Sequence, residues 1–503
     1  MIGFQGTHAS AELREQLERT RARGVILFAR NIRDAEQTRR LIAEIRGLVP
    51  WRLLLAVDQE GGPVVRVTRG ASVFPGNMAL AACNSLELAQ RQGRESGRQL
   101  AAMGFDLNLA PVVDLQTNPA NPGIGIRSLG AERALALPLA EALVRGHAEH
   151  GVSCCLKHFP GKGAASVDAH RDLPVLDLPL EAFRDPHLRI FEDLLQRLDP
   201  QPAIMTSHVI VTGLDPDAPA TLSARVVRRV LRGQMRFDGL LLTDDLEMGA
   251  IVKHGGVGVA AERAAAAGHD LILVCHDPMR QREAADALEH ALGAGRLDLD
   301  EHRRAVARIA ACAEHTPHAC CADPSEGDRV ADTIARGAVH LFRDPRGLLP
   351  IAARQRICVL AFRPQSVVDV EETSGRSSFE ATLEAAFQAA GLEHVDVIGL
   401  ESSESLASEH WERAAAAERL VLCTWDARAR ANVRDLLERA CRELPERLIV
   451  AHLRNPFDQA LVPEGITALT AFGYQPCQLR ALAQVLGGRA AATGQLPAPL
   501  VAP

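Results

Sequence analysis

The most informative stretch of this 503-residue chain is Gly151-Val-Ser-Cys-Cys-Leu-Lys-His-Phe-Pro-Gly-Lys-Gly163, which Asp168-Ala-His170 follows closely. It begins as an apolar run, reaches the polar side chains of Lys157 and His158, and then turns through proline and glycine. A strand that ends in charged groups before a Gly/Pro loop is typical of an α/β barrel, which carries its chemistry at the carboxyl ends of its strands. We therefore expect an active-site loop here.

Short apolar runs of the same kind recur up to about residue 275, and we interpret eight of them as strands. Several are rich in β-forming residues and are bounded by glycine, proline or aspartate. The eight runs are 2–4, 24–28, 53–57, 107–110, 153–156, 203–205, 240–242 and 271–274. Segments with helical periodicity, such as 34–47 and 86–103, separate most of them. Repeated β-α units of this number predict a TIM-like (β/α)₈ barrel.

Polar side chains follow several of these runs, at the strand ends where barrel enzymes keep their catalytic groups. They are Asp58, Asp114, Lys157, His158, His208 and Asp244. Any one of them could simply cap a helix or be a satisfied buried group. Six at equivalent strand ends are expected to converge on one mouth of the barrel.

A second alternation of apolar runs and helical segments begins after about residue 330. Its predicted strands are 357–361, 395–398, 420–423, 448–451 and 469–472. Five strands are too few for another barrel and favour an α/β/α three-layer sandwich. No Gly-rich phosphate loop opens its helices, so nucleotide binding has little support. We predict a barrel domain at 1–313, a linker at 314–335 and the sandwich domain at 336–503.

The composition argues against several classes of protein. The 56 basic and 63 acidic residues are well mixed and give a net charge of −7, so neither a nucleic acid nor an anionic membrane surface is an expected partner. No apolar run approaches the length of a membrane span, and the start of the chain does not resemble a signal peptide. We expect a cytoplasmic protein whose eleven scattered cysteines are reduced thiols.

One cluster of potential metal ligands lies between the predicted domains. His315, His318, Cys320 and Cys321, with Cys312, could be drawn as a thiolate and imidazole site. Their spacing is not that of a paired Cys-x-x-Cys zinc motif, and the prolines nearby suit an ordinary linker better. We expect no metal ion and no cofactor.

Asp244 ends the seventh predicted strand, in Leu241-Leu-Thr-Asp-Asp-Leu-Glu-Met248. A retaining glycosidase needs a carboxylate that attacks the anomeric carbon, and Asp244 is placed for that role. Asp245 and Glu247 are alternatives by residue type, although alternation along an extended chain would turn Asp245 away from whatever Asp244 faces. A pair of helix-capping aspartates is the other interpretation.

His170 could supply the acid and base function, since an ordinary histidine pKa of about 6.5 permits proton exchange at neutral pH. Asp168, two residues earlier, could hold one ring nitrogen so that the other faces the leaving group. The same Asp-x-His pair could instead bind a metal ion or lie in a solvated turn. By itself the pair is not specific.

Taken together, these motifs resemble family-3 glycoside hydrolases, in the β-N-acetylhexosaminidase branch that removes N-acetylglucosamine from peptidoglycan fragments. The matching stretches are Gly24-Val-Ile-Leu-Phe-Ala-Arg-Asn31, Val57-Asp-Gln-Glu-Gly-Gly62, Lys157-His-Phe-Pro-Gly161, Asp168-Ala-His170 and Thr243-Asp-Asp245. The stretch Gly347-Leu-Leu-Pro-Ile351 resembles, more loosely, the start of the family's second domain.

The resemblance implies an exo-acting, retaining β-N-acetylglucosaminidase with Asp244 as nucleophile, His170 as acid/base and Asp168 as its orienting partner. It also implies substrate-binding roles for Asp58, Arg66, Arg127, Lys157 and His158. The expected partners are small carbohydrates, namely N-acetylglucosaminides and muropeptides, and we expect a monomer.

Three positions depart from the family pattern. Lys162 replaces the usual histidine of a Gly-His-Gly turn, Ala164 stands where aspartate is common, and Ile126 where an acidic residue is common. These changes bear on substrate range more than on reaction type. They leave open a family-3 glycosidase or phosphorylase of another sugar specificity and a barrel that binds sugar without cleaving it. A metal-dependent hydrolase is a further alternative.

Overall fold

The computed structural model describes residues 1–169, 172–253, 255–313, 321–366, 371, 379–403 and 406–500. The predicted acid/base His170 therefore lies outside the described residues, as does the part of the predicted linker at 314–320 with its potential metal ligands.

A ring of parallel strands forms the first domain. In chain order its strands are β1 (Gly24–Leu27), β2 (Leu54–Val57), β3 (Leu107–Asn108), β4 (Ser153–Phe159), β5 (Val175–Leu176), β6 (Ala203–Thr206), β7 (Ile210–Val211), β8 (Leu241–Asp245) and β9 (Leu271–Leu273). The order around the sheet is β1-β2-β3-β4-β6-β8-β9, while β5 and β7 form a separate pair that was not predicted. Ile2 pairs in parallel with Val25 and with Val274, and so closes the ring. The predicted (β/α)₈ barrel is confirmed. In the described residues its sheet has seven strands, and Ile2 takes the place of the eighth, between β1 and β9.

Side chains that alternate along each strand divide between the barrel interior and the helices outside. In β1, Ile26 packs in the interior cluster with Leu54 and Ala56, whereas Val25 and Leu27 pack against the surrounding helices. The period of two is that of an extended strand buried on both faces. It also explains why these strands appear in the sequence as continuous apolar runs.

Helices surround the barrel, and several of them begin at a capping side chain. They are α1 (Ala11–Thr20), α2 (Ala35–Arg46), α3 (Asn77–Cys83), α4 (Leu86–Met103), α5 (Arg133–Ala148), α6 (Leu180–Phe183), α7 (Arg189–Arg197), α8 (Gly249–Val252), α9 (Val257–Ala267), α10 (Pro278–Gly293) and α11 (Leu299–Cys312), with π-helical turns at Arg184–Leu188 and Arg225–Gln234. The side chains of Ser10, Asp34 and Ser85 accept hydrogen bonds from the first turns of α1, α2 and α4. Such caps satisfy backbone donors that have no partner within the helix.

A mixed sheet forms the second domain. Its strands are β10 (His340–Arg343), β11 (Arg356–Phe362), β12 (His394–Leu400), β13 (Arg419–Thr424), β14 (Leu448–His452) and β15 (Thr467–Thr470), and its helices are α12 (Ser325–Ala338), α13 (Phe379–Ala389), α14 (Ser408–Ala416), α15 (Ala431–Glu443) and α16 (Pro476–Leu486). The strand order is β10-β15-β14-β13-β11-β12. The five predicted strands are present and run parallel, and the predicted α/β sandwich is confirmed. The antiparallel edge strand β10 was missed.

Helix α12 lies largely within the segment 314–335 that we expected to be a linker. It packs against α3 and α4 of the barrel and against α16 of the second domain. The segment therefore carries part of the contact between the two domains, while the boundaries themselves stay a prediction. In the described parts of the chain, none of the helices combines the length and apolar character of a membrane span.

Candidate active site

A cleft of about 210 Å³ opens at the carboxyl ends of the barrel strands. Six of the eight residues predicted for the site line it: Asp58, Arg66, Arg127, Lys157, His158 and Asp244. Asp168 is buried, with its carboxylate close to Gly123. Of the six residues that the strand-end pattern singled out, four line the cleft, namely Asp58, Lys157, His158 and Asp244, whereas Asp114 and His208 do not.

One wall of the cleft is a chain of buried ion pairs. The Nζ atom of Lys157 lies 2.7 Å from Asp58 Oδ1 and 2.6 Å from Glu60 Oε1. Arg127 donates two parallel hydrogen bonds to Glu60, from Nε at 2.9 Å and from Nη2 at 2.8 Å. Arg66 approaches Asp58 from another side, at 3.8 Å. Bidentate pairs of this kind fix the guanidinium plane as well as its position.

Glu60 is the centre of this wall and was not among the predicted residues. Burial alone would raise its pKa, but Arg127 and Lys157 outweigh the burial and lower the pKa to about 2. Burial lowers the pKa of Lys157, whereas the carboxylates of Asp58 and Glu60 raise it, and the net result is a raised pKa. Glu60 and Lys157 therefore both stay ionised at neutral pH. Glu60 stands in the matching stretch Val57–Gly62, which was the available sequence signal.

Asp114 holds the loop after β4 in place. Its Oδ2 atom accepts a hydrogen bond from the backbone N–H of His158 at 3.1 Å and lies 2.7 Å from His158 Nδ1. Its Oδ1 atom accepts from the backbone N–H of Lys162 at 2.7 Å. Burial raises the pKa of Asp114 to about 6, with Lys162 as the main opposing influence. Asp114 supports the site rather than lining the cleft.

Asp244 lies across the cleft from this wall, at the end of β8. Its side chain is 17 % exposed, its Oδ1 atom accepts from the backbone N–H of Asp245 at 3.0 Å, and its Oδ2 atom lies 3.9 Å from Lys162 Nζ. A carboxylate in this position can reach a substrate bound against the opposite wall.

The prediction that Asp245 would turn away from the cleft is wrong. Both aspartates line the cleft, because the pairing of β8 with β9 shifts register between Leu242 and Asp245 and interrupts the simple alternation. Asp245 accepts from the backbone N–H of Glu247 at 3.1 Å and lies 3.2 Å from His276 Nε2. This carboxylate is held within its own turn and against His276.

Glu247, the other alternative nucleophile, is also held by its surroundings. Its carboxylate accepts from the backbone N–H groups of His276 and Asp277. Burial and the neighbouring Asp245 raise the pKa of Glu247, with burial the larger cause. These contacts favour Asp244 as the carboxylate that acts on a substrate.

His208, which the strand-end pattern also singled out, is a buried supporting residue. Its Nδ1 atom lies 2.9 Å from Thr221 Oγ1 and its Nε2 atom lies 2.9 Å from the backbone oxygen of Asp245. Burial lowers its pKa, so the ring is neutral at physiological pH. These two contacts hold the ring between Thr221 and the backbone of Asp245, and His208 is not among the residues that line the cleft.

The second domain supports the turn that carries Arg127. The Oδ1 atom of Asn455 accepts a hydrogen bond from the backbone N–H of Ile126 at 3.2 Å, and its Nδ2 atom donates to Asp426 at 2.9 Å. A Cβ atom at Gly125 would lie 2.2 Å from Asn455 Oδ1, so the two segments are in close contact. A second interdomain hydrogen bond runs from Gln475 Nε2 to the backbone oxygen of Gly62.

A metal centre finds no support in the described part of the chain, where no three His, Cys, Asp or Glu side chains group as ligands. The cluster suggested by His315, His318 and Cys320 lies outside the described residues. The charged side chains of the cleft are instead paired with one another, which suits the binding of hydroxyl-rich small molecules through hydrogen bonds.

Residues 2–312, which contain the whole cleft wall and Asp244, match the family described as the glycosyl hydrolase family 3 N terminal domain. The chain belongs to glycosyl hydrolase family 3. The β-hexosaminidase of Pseudomonas aeruginosa strain PAO1 is 39% identical to it over 290 residues, which are 58% of this chain and 86% of that relative. The β-hexosaminidase of Glaesserella parasuis is 36% identical over 290 residues, 58% of this chain and 84% of the relative.

One solved family-3 structure resembles both domains together. The β-N-acetylglucosaminidase from Paenibacillus sp. strain FPU-7 superposes with a TM-score of 0.92 at 33% identity, and the match covers 100% of this chain and 98% of that one. This family-3 protein is therefore a glycoside hydrolase with a second domain that the Paenibacillus enzyme also has.

Proposed function

We propose that this family-3 enzyme is an exo-acting, retaining β-N-acetylglucosaminidase. The observation that carries the proposal is Asp244, at the end of β8, in the same cleft as the buried ion pair of Lys157 with Asp58. The names of the Pseudomonas and Paenibacillus relatives support the acetamido sugar as substrate. Peptidoglycan-derived muropeptides are the proposed natural source of that sugar.

The first chemical step forms a bond between Asp244 and the sugar. A carboxylate oxygen of Asp244 attacks the anomeric carbon, the bond from that carbon to the leaving oxygen breaks, and His170 gives its proton to the leaving oxygen. Asp168 orients the imidazole and stabilises its charged form. The product is a covalent glycosyl-enzyme ester, with the configuration of the anomeric carbon inverted.

The second step returns the enzyme to its starting state. His170 takes a proton from water, the water oxygen adds to the anomeric carbon, and the ester bond breaks with its electron pair returning to the Asp244 carboxylate. The second inversion restores the original configuration. The sugar leaves with the β-configuration that it had in the substrate.

The wall of ion pairs binds the sugar hydroxyl and acyl oxygens in this proposal. Asp58 accepts hydrogen bonds from hydroxyl groups, while Arg66, Arg127 and Lys157 donate to hydroxyl or acyl oxygens, and His158 adds a further polar contact. Glu60 holds Arg127 and Lys157 at fixed positions, so these donors are organised before the substrate arrives. The cytoplasmic location and the monomeric state stay predictions.

Matched aryl glycosides test the proposal directly. Wild-type enzyme should hydrolyse 4-nitrophenyl β-N-acetylglucosaminide in preference to the β-glucoside, and His170→Ala should lose most of that activity, in assays with and without phosphate. A preference for the glucoside would contradict the sugar assignment. Release of a sugar phosphate instead of free sugar would indicate a phosphorylase, and binding without turnover would indicate a barrel that no longer cleaves.

A further inference from the structure

Lysine is very rare in this chain, and two of its three lysines line the cleft. Among 56 basic residues the lysines are Lys157, Lys162 and Lys253, and all the others are arginine. The first two line the cleft, whereas Lys253 is exposed and outside the cleft lining. An ammonium group is a compact charge without the planar fork of arginine, so the two residues are not interchangeable at a close contact. Lys157 belongs to the wall of ion pairs with Asp58 and Glu60, whereas Lys162 lies outside that wall.

The backbone around Lys162 is fixed on both sides. Its N–H donates to Asp114 Oδ1 at 2.7 Å, and its carbonyl oxygen accepts from Asn121 Nδ2 at 2.8 Å. The next residue, Gly163, packs so closely on the backbone of Leu115 that a Cβ atom would lie 1.7 Å from the carbonyl oxygen. The loop therefore presents the Lys162 side chain from a defined position.

The side chain of Lys162 is 9 % exposed, and its Nζ atom lies 3.9 Å from Asp244 Oδ2. Within the described residues, this is the only carboxylate inside ion-pair distance of the ammonium group. Among the described residues, the other charged or titratable groups that influence Lys162 include Asp114 in the loop after β3, Asp168 in its own loop, Arg127 in the 125–127 turn and His208 after β6. Burial lowers the pKa of Lys162, and Asp244 is the strongest opposing influence.

We propose that Lys162 is a positioning residue for Asp244, which keeps that carboxylate ionised and stabilises it as the leaving group when the glycosyl-enzyme is hydrolysed. The inference rests on the proposed function, because it takes Asp244 as the nucleophile.

The two chemical steps change the charge beside Lys162 in opposite directions. Formation of the ester neutralises Asp244, which is the carboxylate within ion-pair distance of the ammonium. In the second step water adds to the anomeric carbon, its proton passes to His170, and the electron pair of the broken ester bond returns to the Asp244 carboxylate near the ammonium. A nearby cation favours the charged form of a carboxylate, so Lys162 favours breakdown of the intermediate over its accumulation.

Two variants, Lys162→Met and Lys162→Arg, test the proposal. Lys253→Met is the matched control, because it removes the same charge outside the cleft. The pH dependence of kcat/KM gives one measurement, and the fraction of glycosyl-enzyme in acid-quenched steady-state samples, read by intact-protein mass spectrometry, gives the other. Without the ammonium, the acid limb of kcat/KM should move up by about one pH unit, as expected for loss of an opposite charge at this distance.

The expected result for Lys162→Met is therefore a displaced acid limb of kcat/KM, a larger trapped fraction of glycosyl-enzyme, and a kcat and a KM that fall together, because slower breakdown of a covalent intermediate lowers both. Lys162→Arg should restore part of each effect, and Lys253→Met should match the wild type. An unchanged acid limb together with an unchanged trapped fraction would overturn the proposal. Lys162→Gln serves as the second variant if the methionine variant does not fold.

Asp244→Asn separates this proposal from the proposed function. If Asp244→Asn keeps wild-type turnover, the nucleophile assignment fails and the inference about Lys162 fails with it. If Asp244→Asn is inactive while Lys162→Met behaves like the wild type in both measurements, only the inference about Lys162 fails.

Discussion

The barrel sheet and the sheet of the second domain both carry charged side chains at strand ends, and in the described residues these side chains border a cleft in the barrel but form a buried cluster in the second domain. In the second domain, Arg454 follows β14 and pairs with Asp426 at 2.6 Å and with Glu371 at 2.5 Å, and the side chains of Arg454 and Glu371 are each only 1 % exposed. In the barrel, Asp244 lies at the end of the same kind of parallel strand and keeps 17 % of its side chain exposed. Charged residues at strand ends therefore indicate a catalytic site only where at least one of them, such as Asp244, remains exposed to open space.

The barrel contains both kinds of charge side by side. Glu60 is sealed between Arg127 and Lys157, like the buried cluster of the second domain, whereas Asp244 and Lys162 border the cleft. Substitutions of the residues that border the cleft should therefore lower activity, and substitutions of the buried, paired residues should lower stability.

The largest expected effect is that of Asp244→Asn. Loss of the nucleophile should lower kcat for an aryl N-acetylglucosaminide by about 10³-fold or more, because no covalent intermediate can form. The measurement is initial rate under saturating substrate. Asp426→Asn, the matched change at a strand end of the second domain, should keep kcat per folded molecule within a few-fold of wild type. Equal losses in both variants would remove the distinction between open and sealed charges.

Arg454→Met should produce the largest loss of stability. Removing one partner of a buried ion pair leaves uncompensated carboxylates, which costs about 3–5 kcal/mol of unfolding free energy. Arg413→Met is the control, because Arg413 pairs with Asp396 on the surface of the same domain and exposed pairs contribute about 0–1 kcal/mol. Urea unfolding of both variants checks the difference. Similar midpoints would show that the buried cluster contributes no more than a surface pair.

Much of this architecture can be predicted from the sequence, and the failures have physical causes. The eight barrel strands could be located because each is buried on both faces and reads as an apolar run. Strand β10, His340–Arg343, is half-buried at a sheet edge and mixes apolar with basic residues, so it has no such signal. The chemistry-bearing residues of the barrel could be named from motifs at strand ends.

The pairing of those residues could not be predicted. Glu60 and Arg127 are 67 positions apart, and nothing in the local sequence shows that they share two hydrogen bonds. The orientation of Asp245 depends on a register shift between β8 and β9, which is a property of two strands together. Local patterns thus locate the side chains of the site, while the fold decides which of them are sealed and which stay open.

The buried ion pairs of Glu60 should make the stability of the protein depend on pH. The folded-state pKa of Glu60 is lowered to about 2 from its ordinary value of 4.5. A lowered pKa means that the carboxylate stabilises the fold above about pH 4.5 and that this contribution is lost as the pH falls toward 2. Glu60→Gln should therefore be less stable than wild type at pH 7, and the difference should shrink below pH 4.5. Thermal unfolding from pH 7 to pH 3 measures it, and a constant difference would contradict the ion-pair assignment.

The smallest effect is expected for Asn455, which connects the buried charged cluster of the second domain to the turn that carries Arg127. Asn455→Ala removes the acceptor for the Ile126 N–H and the donor to Asp426, and one such hydrogen bond contributes about 1 kcal/mol. Because Ile126 precedes Arg127 in the same turn, the loss should loosen a substrate-binding side chain and raise KM about fivefold, with kcat nearly unchanged.

Arg480→Ala is the control for the Asn455 variant, since it breaks an exposed pair with Asp332 between α16 and α12, away from the cleft. It should leave KM at the wild-type value. If Asn455→Ala lowers kcat and leaves KM unchanged, the second domain acts on the nucleophile side of the cleft instead of on Arg127. If neither kcat nor KM changes, the contact from Asn455 does not affect catalysis, and the barrel alone positions the charged side chains of the cleft.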